Sequence, residues 1–323
     1  MRRATQAAIL FICTAAAVLV SCVCARNGLP ANSKGGEGIE TMLDFYRTQS
    51  AWTDPGEHLS MYEGIPDGIG EVVEVVQNVL VHGGLLWLYE LTPTEQQGGG
   101  MNIRKTAEML ERIAQLKSGS ITIPRAADQR LVVNCRQFAV LTCSILRSKG
   151  VPARVRAGYA LYTWRQGKYE NHWICEYWHP AERRWVQVDA QIDAAQRKLM
   201  QIDFDTLDMP QGRFVVAGEG WQRYRQGEVG EEAFGLGGRD GWNAMGWRMV
   251  MPNVVCDTMA LNKDELLPWD VPPYWSKEQA GMSAADTELI DRLAAAHWSE
   301  SRSLYDSHPA LHMPKDFEKQ KQK

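Results

Sequence analysis

The chain has 323 residues, is 45% hydrophobic and 23% charged, and carries a formal net charge of -4. That is the composition of a globular protein with a substantial core, and with a sequence pI near 6.0 it offers no basic footprint for nucleic acid. The seven cysteines form no CxxC pair and have no histidine at metal-ligand spacing, which argues against a zinc site and a disulfide framework; no metal or organic cofactor is expected.

Arg2 and Arg3 precede an apolar run over 7–20 and then small residues, the layout of an export signal and too short to span a bilayer. Leu19, Val20, Ser21 and Cys22 resemble the lipobox of bacterial lipoproteins. Residues 1–25 are therefore expected to be a signal peptide or lipoprotein leader, placing the protein in the cell envelope, lipid-anchored if Cys22 is acylated. The Gly-, Asn- and Ser-rich stretch 26–41 reads as a flexible tether. Translation from Met42 would instead give a cytoplasmic protein.

Residues 42–118 form a helical front section, because the run EVVEVVQNVLVHGGLLWLYEL (71–91) and the stripe Met109, Leu110, Ile113 and Leu116 repeat at helical spacing. His82, among valines, reads as a packed structural histidine. The core is expected over 119–200. It holds a helix from Cys135 with Phe138, Leu141, Ile145 and Leu146 on one side, Asn134 as N-cap, Gly150 at the left-handed C′ position and Pro152 just beyond. The apolar period then changes from about 3.6 to 2, and 153–163, 168–178 and 184–190 read as a three-stranded meander. The stretch 201–323 is expected to be helical and loop-rich, with helices over 214–225, 249–261 and 284–297. GLGG (235–238) lacks the context of a phosphate-binding loop and reads as a flexible surface loop.

If HPAE (179–182) is the loop of the last hairpin, Trp178 faces Arg183 and His172 falls opposite Asp189, with Cβ atoms about 4.5–5.5 Å apart. Trp173, Cys175, Tyr177, Val186 and Val188 then share one apolar face, and His172, Glu176, Trp185 and Gln187 the other. A carboxylate beside an imidazole fixes its tautomer and stabilises the imidazolium, the orienting half of a nucleophile-base-orienter triad. Cys135 is the candidate nucleophile. It follows the N-cap, where backbone N–H groups and the helix dipole favour a thiolate and can hold an oxyanion, and Arg136 adds positive charge.

NCRQFAVLTCSILRSKGVPARVRAGYA, followed by YENHWICEYW and RRWVQVDAQID, resembles the transglutaminase-like superfamily, over about residues 128 to 193. The resemblance implies an α+β, papain-like core, a Cys-bearing helix packed on an antiparallel sheet, with additional N- and C-terminal helices. It implies Cys135 as nucleophile, His172 as base and Asp189 as orienter. Such a thiol acyltransferase or cysteine peptidase or amidase passes an acyl group from a peptide or protein amide, through a thioester, to an amine or to water. Gln129, six positions earlier, is a candidate side-chain oxyanion donor. The competing readings are a non-catalytic peptide- or glycan-binding envelope protein that retains the fold, and an amide-forming enzyme acting on carrier-bound acyl groups.

Overall fold

The computed structural model describes residues 33–315, apart from 164, 166, 239, 240, 277 and 278, together with residue 317. The leader expected over 1–25, with Cys22, lies outside the described residues, as does the tether as far as residue 32. The rest of the expected tether is helical, because α1 (Ser33–Arg47) already begins there. Its Ile39, Met42, Leu43 and Tyr46 recur at i, i+3, i+4 and i+7 and pack against Trp178 and Trp185, which gives the stretch a reason to be helical that its Gly and Ser content hides.

The front section follows with α2 (Ile69–Val79), where the expected long helix over 71–91 divides. At Leu80 the chain extends into β1 (Leu80–His82) and then winds through a 3-10 stretch, Gly83–Tyr89. A Cβ on Gly83 would lie 2.9 Å from Met101 Sδ and 3.3 Å from Val132 Cγ1, so glycine lets the two segments approach closely without moving the Met101 side chain. After α3 (Thr106–Leu116), β2 (Leu131–Val133) pairs in parallel with β1, His82 opposite Val133. The Cys-bearing helix α4 (Cys135–Ser148) starts one residue after Asn134, and Gly150 takes φ +75° just past its end. Every residue of α4 from Cys135 to Arg147 is buried.

The meander is present as β3 (Ala153–Ala160), β4 (Tyr169–His179) and β5 (Arg184–Val188). Its register differs from expectation by two residues: β4 continues through His179 and the turn closes with Arg183 at φ 52°, so Trp178 faces Trp185 and Cys175 faces Val188. Because the side-chain period is 2, a shift of two preserves both faces. Trp173, Cys175, Tyr177, Val186 and Val188 do share the apolar face, packed with Phe138, Ala139 and Cys143 of α4.

After α5 (Ala194–Met200) the rear section contributes strands that the sequence reading placed in a helix and a loop. Phe214–Val216 form β6, paired antiparallel with Gly158–Ala160 of β3, and the expected helix begins only afterwards as α6 (Ala217–Arg225). The GLGG segment is β7 (Phe234–Gly238), antiparallel to β8 (Gly241–Ala244). Its glycines have a role, since a Cβ on Gly235 would stand 2.1 Å from the Asn243 carbonyl oxygen. Among the described residues three further α-helices follow: α7 (Trp247–Leu261), α8 (Ala284–Ala295) and α9 (Trp298–Ser307).

The result is an α+β fold around one mixed sheet in the order β6-β3-β4-β7-β8, with β5 beside β4. Strands β7 and β5 share one edge of β4. The first pairs at Tyr169 and Glu170, the second from Cys175 onward, which leaves residues 171–174 between them without a ladder partner on that edge. The main core lies between the sheet, α2, α3 and α4. A second core is built by α6, α7, α8 and α9 around Tyr159, Tyr169 and Phe234. A smaller cluster of Tyr162, Ile174, Ile192, Ile202 and Phe214 covers the opposite face of the sheet.

Several of the charges in these layers are paired. Glu176 accepts from Arg154 at 2.7 Å and Arg156 at 3.1 Å, and Arg156 reaches on to Asp257 at 2.8 Å. Burial acts to raise the Glu176 pKa, but the two guanidiniums outweigh it and bring it down to about 2. A depressed carboxylate contributes stability above its ordinary value and loses it as pH falls toward the folded one. Glu176→Gln should therefore cost about 3 kcal/mol near pH 7, where it takes the carboxylate partner from Arg154 and leaves Arg156 with Asp257 alone, and the gap to wild type should close between pH 4.5 and about 2. Urea midpoints measured across that range test this, and a pH-independent gap would contradict it.

Candidate active site

The N-terminus of α4 is fixed by a capping box. Asn134 Oδ1 accepts from the Arg136 N–H at 2.9 Å, and Gln137 Oε1 accepts from the Asn134 N–H at 3.3 Å. Gln137 Nε2 in turn donates to the carbonyls of Gly100, Met101 and Ile103 at 3.0–3.2 Å. The cap therefore anchors the residue on either side of Cys135, while the Cys135 N–H has no intrahelical acceptor. Arg136 does not contribute charge to the thiol as expected. Its fully buried guanidinium donates to the carbonyls of Glu265, from Nε at 2.9 Å, and Ile103, and burial lowers its pKa to about 10. Residue 136 points into the helix-packing interior, one position around the helix from Cys135.

His172 lies in the unpaired gap along the β4 edge, and Asp189 sits just past the end of β5. His172 Nε2 is 2.8 Å from Asp189 Oδ2, although the two are not directly opposed in the ladder. Asp189 is 1% exposed, and three donors converge on its carboxylate: the His172 imidazole, the Tyr162 hydroxyl at 2.5 Å and the Gln191 N–H at 3.0 Å. With Nε2 committed to Asp189, Nδ1 is the ring nitrogen left for the thiol, and Cys135 is near enough to raise the His172 pKa. Burial works against the imidazolium, but the Asp189 carboxylate and Cys135 outweigh it and hold the His172 pKa well above its ordinary value. Asp189 is held below the usual carboxylate range, because the imidazole, the Tyr162 hydroxyl and the Gln191 N–H together offset its burial.

Cys135 and His172 open onto a cavity of about 600 Å³. All three sections build it: His82 and Leu85 from the front, Asn134, Tyr162 and Asn171 from the core, and Leu236, Met245, Arg248 and Trp269 from the rear. The β7 strand, expected as a surface loop, thus forms one wall. Gln129, expected as an oxyanion donor, is not on the cavity wall; its Oε1 accepts from Lys117 Nζ at 2.9 Å. Cys143 and Cys175 are fully buried and Cys256 is 4% exposed. Among the described residues no three His, Cys, Asp or Glu side chains cluster so as to hold a metal ion.

Two further residues line the cavity: Tyr162, which the sequence reading did not single out, and His82, which it took for a packed structural histidine. Tyr162 had a signal, since Gly158 pairs with His172 and Ala160 with Glu170, and continuing the alternation puts Tyr162 on the face of His172. His82 had only its place at the end of β1. Replacing Asp189 by Asn should lower the His172 pKa, because it removes the largest influence that opposes burial. An NMR titration of the imidazole measures this, and a pKa that stays high would mean that Asp189 does not set it.

Residues 113–190 match the model of the transglutaminase-like superfamily. None of the curated proteins matches the chain. Among solved structures, a protein from Cytophaga hutchinsonii provisionally named a cysteine protease is similar at 15% identity and a TM-score of 0.31, over 54% of this chain and 45% of that one. The thiol of Cys135, the imidazole of His172 and the carboxylate of Asp189 thus all lie within the part of the chain that matches the transglutaminase-like superfamily model.

Proposed function

We infer that the protein is a cysteine enzyme that takes an acyl group from the amide of a peptide or protein and holds it as a thioester on Cys135. The observation that carries this reading is the 2.8 Å bond between His172 Nε2 and Asp189 Oδ2, on a histidine that shares a cavity with a cysteine at a helix start. An aspartate bound to one imidazole nitrogen fixes the tautomer and stabilises the cation that forms when the other nitrogen takes the thiol proton. In the first half-reaction the Cys135 sulfur bonds to the amide carbon, the C–N bond breaks, and His172 gives its proton to the departing amine. In the second, His172 takes a proton from the incoming water or amine, which attacks the thioester and returns Cys135 as a thiol.

Water gives hydrolysis and an amine gives transamidation. The cavity suits a chain substrate, because its walls mix Trp269, Leu236 and Met245 with the polar ends of Asn134, Asn171 and Arg248, as sites for extended ligands commonly do.

Two measurements test the proposal. Intact mass after incubation with a dansylated glutaminyl peptide, with and without a primary amine, should show an adduct or an amine-bearing product in wild type and none in Cys135→Ala. Alkylation of Cys135 by iodoacetamide near pH 6 should slow by at least about tenfold in His172→Ala. An alkylation rate that ignores His172, with no Cys135-dependent adduct, would sink the reading.

A further inference from the structure

His82 stands in the same cavity wall as Cys135 and His172 without a place in the mechanism above. The backbone puts it there. β1 pairs in register with β2 so that His82 lies opposite Val133, two residues before Cys135, and the tight turn at Gly83 and Gly84 then carries the chain away. The Gly84 N–H donates to His82 Nδ1 at 3.2 Å. A nitrogen that accepts a hydrogen bond carries no proton, so the neutral ring must bear its proton on Nε2. Gly84 is suited to this contact, because a Cβ there would lie 3.2 Å from His82 Cε1 and 3.3 Å from Nδ1, tighter than side chains ordinarily pack.

We propose that His82 is the side-chain half of the oxyanion site, its Nε2–H acting with the Cys135 backbone N–H on the oxygen of the tetrahedral intermediate. This rests on the acyl-transfer reading. When the sulfur of Cys135 bonds to the carbonyl carbon, the C=O π pair moves onto oxygen, and the charge falls to the Cys135 N–H and the His82 Nε2–H. On collapse the pair returns to re-form the carbonyl and expels the leaving group. Neither donor gains or loses a proton, so His82 must remain neutral throughout. A neutral imidazole is suited to this electrophilic role. Burial, and then the charge of His172, push the His82 pKa down to about 4, against the opposing pull of Asp189. The proposal also fills the position left when Gln129 proved to be bonded to Lys117.

The test compares two reactions of the same thiol in the full chain. Acylation of Cys135 by p-nitrophenyl acetate passes through an oxyanion, whereas alkylation by iodoacetamide displaces iodide and forms none. His82→Leu should slow acylation by about 10²-fold and leave alkylation within about threefold of wild type, and His82→Gln, which keeps a side-chain N–H donor, should recover much of the loss. Acylation and alkylation falling together, or neither changing, would overturn the role. Independently of any substrate, ¹⁵N NMR should find His82 as the neutral Nε2–H tautomer from about pH 5 to 8; an Nδ1–H tautomer, or protonation above pH 6, would overturn it as well. Loss of the His172 dependence of alkylation would count against the acyl-transfer reading itself, whereas an unchanged ratio of acylation to alkylation counts against His82 alone.

Discussion

A helix buried on every side must have each of its polar side chains answered from within the protein, because an unpaired buried polar group costs about 1–3 kcal/mol and a buried charge more. α4 is such a helix, and it carries Arg136, Gln137, Thr142, Ser144 and Arg147 in its buried length. The partners come from far apart in the sequence. Ser144 bonds Tyr62, Gln137 bonds the carbonyls around Met101, and Arg147 bonds Thr53 and the carbonyl of Ala153. Arg136 and Arg147 both end on Glu265, one on its carbonyl and the other on its carboxylate. Front and rear sections are therefore parts of the core's own hydrogen-bond accounting. The position of Cys135 follows, since the helix that bears it cannot shift without breaking several of these bonds at once.

The cavity has a comparable origin in the sheet. β4 is paired by β3 over 170–177 on one side, but on the other it is shared by β7 and β5, which leave a gap at 171–174. His172 occupies that gap. Asp189 reaches it because β5 ends at Val188 and the chain turns back, with the Asp189 N–H bonded to the Thr206 carbonyl at 2.9 Å and the carboxylate held by three donors. An imidazole at a break in a strand edge is supported by the sheet from beneath and is open to the cavity in front. The site thus has a rigid floor, while the rear section supplies the wall that a different chain could vary.

Much of this was legible in the residues. The cap at Asn134, the end at Gly150 and the change of period after Pro152 mark local physics, and local physics is what a single sequence states directly. The two faces of the β4–β5 hairpin were also correct, because burial imposes period 2 on both strands. The register was not. His179 belongs to the strand, and the turn needs Arg183 in the left-handed region, which no glycine or asparagine announces. β7 was hidden for the opposite reason. β7 is FGLGG, in which close approach to β8 demands glycine and so removes the β-branched residues by which strands are recognised. The partners of Arg136 and of Gln129 lie beyond sequence reading altogether, since nothing local says which carbonyl or cation a side chain will meet.

The reach of α4 also sets an order of events during synthesis. Arg147 and Glu265 are 118 residues apart, and Arg136 and the Glu265 carbonyl 129, so the helix leaves the ribosome long before its last partners exist. Until residue 265 emerges, two guanidiniums that end in the interior must stay in water or accept poorer company, and the helix cannot settle fully onto the sheet. Loops of that length close slowly. The nucleophile's helix therefore cannot take its final position as soon as it is made, and the thiol acquires its full surroundings only once the segment around residue 265 has emerged.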